Sequence, residues 1–202
     1  MSTFFLASAS PRRSEILNKM QIEHTVCPAE ADETVDASLS PSEAGELLAT
    51  RKAIAARDAL LAKGQFTDGD VLLAADTLVY LDGVPLGKPK DAEEAKAMLR
   101  ALRGKEHLVC TSVCMLHGRR SVSMSEETKV HMRAYSAEEI DAYVATGEPL
   151  DKAGAYGIQG IGSVLVDSIE GDFWSVMGLG PKTVSRLMYI LGIPYFEWIK
   201  ER

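Results

Sequence analysis

Apolar residues recur along this chain at two spacings, and the switch from one to the other marks out its elements. After Ser10-Pro11, Ile16, Leu17 and Met20 fall on one helical face, with a hydroxyl at the cap and proline at the first helical position. Ser40-Pro41-Ser42-Glu43 adds a capping box to the same device. It opens a helix predicted to run to about residue 64, with Leu47, Leu48, Ile54 and Leu61 as its apolar stripe. Further helices are predicted over 91–102, from Ser136 to just before Gly147, and from near Pro181, where Val184, Leu187, Met188 and Leu191 form the buried face. Strand patterns lie between them, over 4–7, 23–27, 71–75, 78–81, 107–116, 122–132 and 163–169. The two longest are separated by His117-Gly118 and read as a hairpin, and Asp82-Gly83 reads as a tighter turn back toward Leu86. Strands alternating with helices, plus an antiparallel insertion, predict a mixed α/β sheet in one unit spanning 1–202. No repeat or linker interrupts it.

Composition narrows the function classes. The chain has 202 residues, 46% of them hydrophobic and 25% charged, an ordinary balance for a domain with a full core. No apolar run approaches a membrane span, and the N-terminal stretch lacks the basic region of a signal peptide, so a cytoplasmic protein is expected. A net charge of −7 disfavours a protein that coats nucleic acid. It leaves room for a small phosphate-bearing ligand wherever cations are gathered locally. Cys27, Cys110 and Cys114 lack C-x-x-C spacing and read as buried free thiols. His24, His107, His117 and His131 show no ligand spacing, and Trp174 and Trp198 read as packing residues.

Four segments carry candidate chemistry. In Ala7-Ser8-Ala9-Ser10-Pro11-Arg12-Arg13, two arginines occupy the first turn of a helix, where cations oppose the dipole at roughly 0.3–1 kcal/mol each. An anion there would meet free N–H groups, serine hydroxyls and guanidinium forks together; a plain surface helix start is the bland reading. In Leu72-Leu73-Ala74-Ala75-Asp76-Thr77-Leu78-Val79, a carboxylate interrupts an apolar run. Burying it unpaired costs several kcal/mol, roughly, so Asp76 must cap a turn, pair with a cation, or work on a water beside a divalent metal. Gly87-Lys88-Pro89 presents one ammonium on an extended backbone, although a lone loop lysine is usually just solvated. Finally, Asp151-Lys152-Ala153-Gly154-Ala155-Tyr156-Gly157-Ile158-Gln159-Gly160 allows close backbone approach to a ligand, and Gln159 offers the donor and acceptor that the imide edge of uracil or thymine requires. It matches neither a P-loop nor the G-x-G-x-x-G fingerprint, and a flexible glycine loop would read the same way.

Taken in order, and with the last extended back through Gly147-Glu148-Pro149-Leu150, these segments resemble the Maf-type nucleotide pyrophosphatases, over nearly the whole chain. The resemblance implies a two-lobed α/β fold with a long mixed sheet and a nucleotide cleft between lobes. It also implies hydrolysis of a nucleoside triphosphate to monophosphate and pyrophosphate with a divalent cation, magnesium or manganese, often as a homodimer. Carried over by motif, Asp76 resembles the general base, and Arg12, Thr77 and Gln159 resemble the substrate-selecting positions. Lys52 and Lys88 resemble the phosphate-binding lysines, with Arg13 beside them, and Glu33 resembles the acidic residue that helps Asp76 hold the metal. The sister branch that prefers 7-methyl-GTP carries Trp, Gln and Glu where this chain has Arg12, Thr77 and Gln159, so the chain resembles the dTTP/UTP branch. One segment departs from the family pattern: Gly178-Leu179-Gly180-Pro181-Lys182 stands where Gly-Leu-Pro-Leu is usual, and a local change at the start of the last helix is expected. Two other readings stay open, a non-catalytic nucleotide-binding regulator of division and an inosine/xanthosine triphosphate pyrophosphatase.

Overall fold

The structure, a computed structural model, describes residues 2–200. Its strands form one seven-stranded mixed sheet in the order β2-β1-β3-β5-β6-β7, with β4 pairing to β3. These are β1 (Phe4–Leu6), β2 (Thr25–Val26), β3 (Val71–Leu81), β4 (Val84–Leu86), β5 (Glu106–His117), β6 (Arg120–Met132) and β7 (Val166–Glu170). β1 runs parallel to both β2 and β3, whereas β4 on β3 and β7 on β6 are antiparallel. The helices are α1 (Pro11–Lys19), α2 (Pro41–Ala62), α3 (Ala92–Leu102), α4 (Ala137–Ala145), α5 (Phe173–Met177), α6 (Pro181–Leu191) and α7 (Tyr195–Lys200). The expected mixed α/β class is what is found.

The chain divides into two compact units. The first takes the N-terminal part up to Asp76, then Thr111–Glu126, then the chain from Gly178 onward; the second is Thr77–Cys110 with Glu127–Met177. In the first unit α2 lies on the sheet through small residues. Ala49, Ala53, Ala56 and Leu60 recur at helical spacing and share a buried cluster with Phe5, Ala7, Leu72, Ala74, Cys114 and Leu116. This corrects the predicted stripe. Leu48 is buried, but Ile54 and Leu61 are exposed, because the alanines, lacking bulk, let the helix axis approach the strands along a different face. The capping box of Ser40 and Glu43 is present as predicted, and so is that of Ser136 and Glu139. Ser10 occupies the cap of α1 but makes no side-chain cap bond; Pro11 alone supplies the predicted start.

Two further corrections concern strands. The segments predicted over 71–75 and 78–81 are one uninterrupted strand, β3, running straight through Asp76 and Thr77. The region 163–169 begins as a 3₁₀ helix (Ile161–Leu165) and turns into β7 only at Val166. The Asp82-Gly83 turn is as read: both residues have positive φ, 51° and 78°, which suits the twist of a two-residue hairpin. In the second unit Leu99 and Leu102 of α3 and Ile140 of α4 are fully buried, and the Tyr135 hydroxyl is tied to the Leu99 carbonyl at 2.7 Å. No helix among the described residues is long and apolar enough to cross a membrane.

Candidate functional site

In the first unit, strand alternation decides where the carboxylate points. Leu72, Ala74 and Asp76 share one face of β3, and the first two pack in the cluster that contains the α2 alanines. Lys52 sits on α2 between Ala49 and Ala56 at helical spacing, so its ammonium is carried along that same face. It meets Asp76 there, Nζ to Oδ1 at 2.6 Å, and the same nitrogen reaches Glu33 Oε1 at 2.8 Å. Burial works against the charge on Lys52, but Asp76 and then Glu33 outweigh it, and the ammonium's pKa ends above its ordinary value. Asp76 is only 8% exposed, so this ion pair answers the cost of its burial.

Asp70, on the same strand approach, shows what a purely structural carboxylate looks like. It accepts from the Thr3 N–H, the Thr67 N–H and the Thr67 hydroxyl at 2.7, 2.7 and 2.8 Å. Two of those donors are backbone N–H groups, whereas Asp76 is met by the flexible end of a lysine.

The Ser8–Arg13 segment supplies the second half of this charged set. Arg13 Nη1 donates to the Ser8 hydroxyl at 2.9 Å, and Arg13 Nε donates to the Gly178 carbonyl at 2.9 Å. Burial lowers the guanidinium pKa to about 10; Asp76 acts in the opposite direction, and neighbouring Arg12 lowers it further. Two half-buried cations side by side at a helix start are a place where an anion would be favoured. Gly178 matches the family pattern; the departure begins two residues later, at Gly180, where the cap of α6 lies.

In the second unit the construction is different. Thr77 follows Asp76 but faces the opposite side of β3, the side of Val79. Gly154 packs there so closely that a Cβ would stand 3.1 Å from Val79 Cγ1. The Gly154 N–H also donates to the Gly87 carbonyl at 3.0 Å, which ties the Gly87-Lys88-Pro89 turn to the glycine-rich segment. Gly154 and Ala155 have successive positive φ values of 72° and 59°, and the alanine stores roughly 1 kcal/mol or more of strain. Tyr156, next in line, buries its ring and bonds His107 Nε2 at 2.8 Å. Lys88 is exposed and Gln159 half-buried. Five of the predicted residues, Arg12, Arg13, Glu33, Lys52 and Asp76, therefore fall in the first unit, and Thr77, Lys88 and Gln159 in the second.

Metal-ligating chemistry fits the first set. Two carboxylates converge on one ammonium, and an all-oxygen pair of this kind suits a hard divalent cation. Among the described residues one further group can be formed, which sequence spacing did not disclose: Glu106, His131 and Glu170, on β5, β6 and β7, have ligand atoms within 4.8 Å of one another. His131 Nε2 lies 3.3 Å from Glu170 and 3.6 Å from Glu106, while Lys129 already pairs with Glu106 at 3.2 Å. Arg51 is a second residue that the sequence reading missed. Its guanidinium donates to the carbonyls of Asp32 and Thr34 at 3.2 and 2.5 Å and so fixes the backbone on either side of Glu33; adjacency to Lys52 was the available signal.

Comparisons with known proteins identify the family. A sequence model of the family described as Maf-like protein matches residues 3–190. A Bacillus cytotoxicus protein named dTTP/UTP pyrophosphatase is 45% identical over 89% of this chain and 90% of its own length. Proteins of the same name from Symbiobacterium thermophilum and Pyrococcus abyssi are 42% and 45% identical, covering 97% and 91% of this chain and 97% and 93% of theirs. With a family match over nearly its full length and relatives this similar, the chain belongs to the Maf family.

Proposed function

We propose that this protein is a nucleoside-triphosphate pyrophosphatase that hydrolyses dTTP and UTP to the monophosphate and pyrophosphate. The observation that carries the reading is the Lys52 bridge between Asp76 and Glu33 beside the Ser8–Arg13 cation site. A nucleotide-binding regulator needs the cations, but it has no use for a buried carboxylate whose partner is a flexible lysine. The names borne by relatives at 42–45% identity support the pyrimidine substrates over purine ones.

In this reading Asp76 accepts the proton of the water that attacks the α-phosphorus, a role that general-base catalysis makes worth about 10²–10⁴ in rate. Lys52, released from one carboxylate, and Arg12 and Arg13 bind phosphate oxygens, the guanidiniums by bidentate geometry, and Lys88 is a candidate for the same chemistry on the second unit. Asp76 and Glu33 would hold a divalent cation, which supplies charge neutralisation at the phosphates. Gln159 reads the imide edge of the base, and Thr77, on the Val79 side of β3, is a second selecting position.

The test is pyrophosphate release from a panel of UTP, dTTP, CTP, GTP, ITP and XTP, with and without magnesium, run in ¹⁸O-water. The expected outcome is magnesium-dependent release from UTP and dTTP and no nucleoside diphosphate. Orthophosphate with a diphosphate co-product, or a preference for ITP and XTP, would overturn the reading.

A further inference from the structure

Glu148 has no role so far, yet its carboxylate accepts three directed hydrogen bonds. Its Oε1 accepts from the Gly162 N–H at 2.9 Å and from the Tyr143 hydroxyl at 3.0 Å, and its Oε2 accepts from the Ile161 N–H at 3.0 Å. The Tyr143 oxygen in turn accepts the Gly157 N–H at 3.1 Å. One glutamate and one buried tyrosine on and just after α4 thereby hold the backbone at 157, 161 and 162. Only three residues lie between these anchors: Ile158, which is buried, Gln159, and Gly160 at φ 78°.

The glycine spacing follows from the same contacts. A Cβ on Gly160 would stand 2.9 Å from Glu148 Oε2, and one on Gly162 would collide with the Tyr143 hydroxyl. A Cβ on Gly157 would stand 2.9 Å from Lys152 Cε, on the lysine whose Nζ donates to the Glu148 carbonyl at 2.6 Å. Each glycine that flanks Gln159 is therefore small because a clamp member occupies the space where its side chain would go. Burial raises the Glu148 carboxyl pKa, but the two N–H donors, Tyr143 and Lys152 outweigh it and keep the group ionised as an acceptor.

We infer that Glu148 and Tyr143 are positioning residues for substrate selection: they fix the 157–162 backbone so that Gln159 is presented in one geometry. The inference rests on the reading that Gln159 selects the base. Neither residue need touch the nucleotide. Loosening the clamp lets Gln159 sample several placements, which weakens binding and blurs the choice of base while the chemical step at Asp76 keeps its rate.

The experiment measures kcat and KM for UTP and CTP with Glu148→Gln, Tyr143→Phe and Gln159→Ala, together with thermal midpoints and amide exchange over 157–162. Glu148→Gln puts an amide donor against backbone donors, and Tyr143→Phe removes the oxygen shared by Glu148 and Gly157. Both should raise KM for UTP about tenfold, reduce the UTP-over-CTP preference about as far, change kcat less than about threefold, and speed exchange at 157, 161 and 162. If the clamp variants keep the parent's KM and preference while Gln159→Ala loses the preference, the clamp is overturned and base reading by Gln159 stands. If the clamp variants lose the preference and Gln159→Ala keeps it, the clamp stands and the selecting atom lies elsewhere in the segment. Should Glu148→Gln fail to fold, Tyr143→Phe decides. A fall in kcat that tracks the thermal midpoint, with KM and preference unchanged, marks the pair as structural only and overturns the inference.

Discussion

The first unit holds its candidate residues by charge against charge, and the second holds its own by backbone hydrogen bonds. Lys52 is held by ion pairs to Asp76 and Glu33, partners that a phosphate or a cation can replace, and Arg13 beside them forks onto the Ser8 hydroxyl and the Gly178 carbonyl. Thr77, Gln159 and the Gly87–Lys88 turn are set by strand alternation, successive positive φ values and N–H groups locked on Glu148, Tyr143 and Gly87. An arrangement of exchangeable charges suits chemistry, where the partner must change during the reaction. A geometry locked by the backbone suits recognition, where it must not. The two regions should therefore fail in different ways.

The largest effect belongs to the charged set. Asp76→Asn should lower the single-turnover rate on UTP by about 10²–10⁴ while nucleotide affinity stays within a few-fold. Equal rates for parent and variant in a single-turnover assay, with dissociation constants matched, would remove Asp76 from the chemistry.

Acid should damage the other region first. His107 is 3% exposed, bonded to Tyr156, and burial lowers its pKa from 6.5 to about 4, helped by His131 and opposed by Glu106. A histidine with a depressed folded pKa contributes stability that is present above pH 6.5 and is lost as pH falls through about 4. The shift corresponds to roughly 3 kcal/mol at most. Urea titrations at pH 7 and pH 4 should show the parent losing more stability than His107→Gln by up to that amount. Parallel losses in the two proteins would show that His107 is not the acid-sensitive group.

A smaller effect separates folding from function in the first unit. Ser40→Ala removes the hydroxyl of the α2 capping box and should lower stability by about 1 kcal/mol, read as a lower thermal midpoint. UTP turnover well below that midpoint should be unchanged, because Lys52 lies three turns along the helix, where the alanine face still seats it. A matching fall in turnover would mean that the cap, and not the alanine packing, sets the position of Lys52.

The sequence displayed the charged region far better than the backbone-built one. A carboxylate inside an apolar run and two arginines at a helix start violate simple burial and dipole rules, and such violations are visible one residue at a time. Helix caps were equally legible, because Ser-Pro-x-Glu is a local signal. What escaped was whatever depends on partners remote in sequence. Glu148 stands in the sequence only as one letter of the Gly147–Gly160 motif, and Tyr143 only as an apolar-face helix residue, until their bonds to Gly157, Ile161 and Gly162 are seen. Glu106, His131 and Glu170 come together only through strand order. The α2 stripe was misjudged because large apolar residues were weighed and alanines were not, although close packing on a sheet favours the small ones.

The division of labour between the two regions is tested most directly by measuring kcat/KM for UTP, dTTP, CTP and GTP with the parent, Asp76→Asn and Gln159→Glu in one assay of pyrophosphate release. The account predicts that Asp76→Asn lowers every value by a common factor and leaves the ratios between nucleotides unchanged. It predicts that Gln159→Glu lowers UTP and dTTP at least about tenfold, or roughly 1.4 kcal/mol of transition-state binding, while CTP and GTP change less. If Gln159→Glu matches the parent on UTP, or Asp76→Asn reorders the nucleotides while keeping its rate on one of them, the division is wrong.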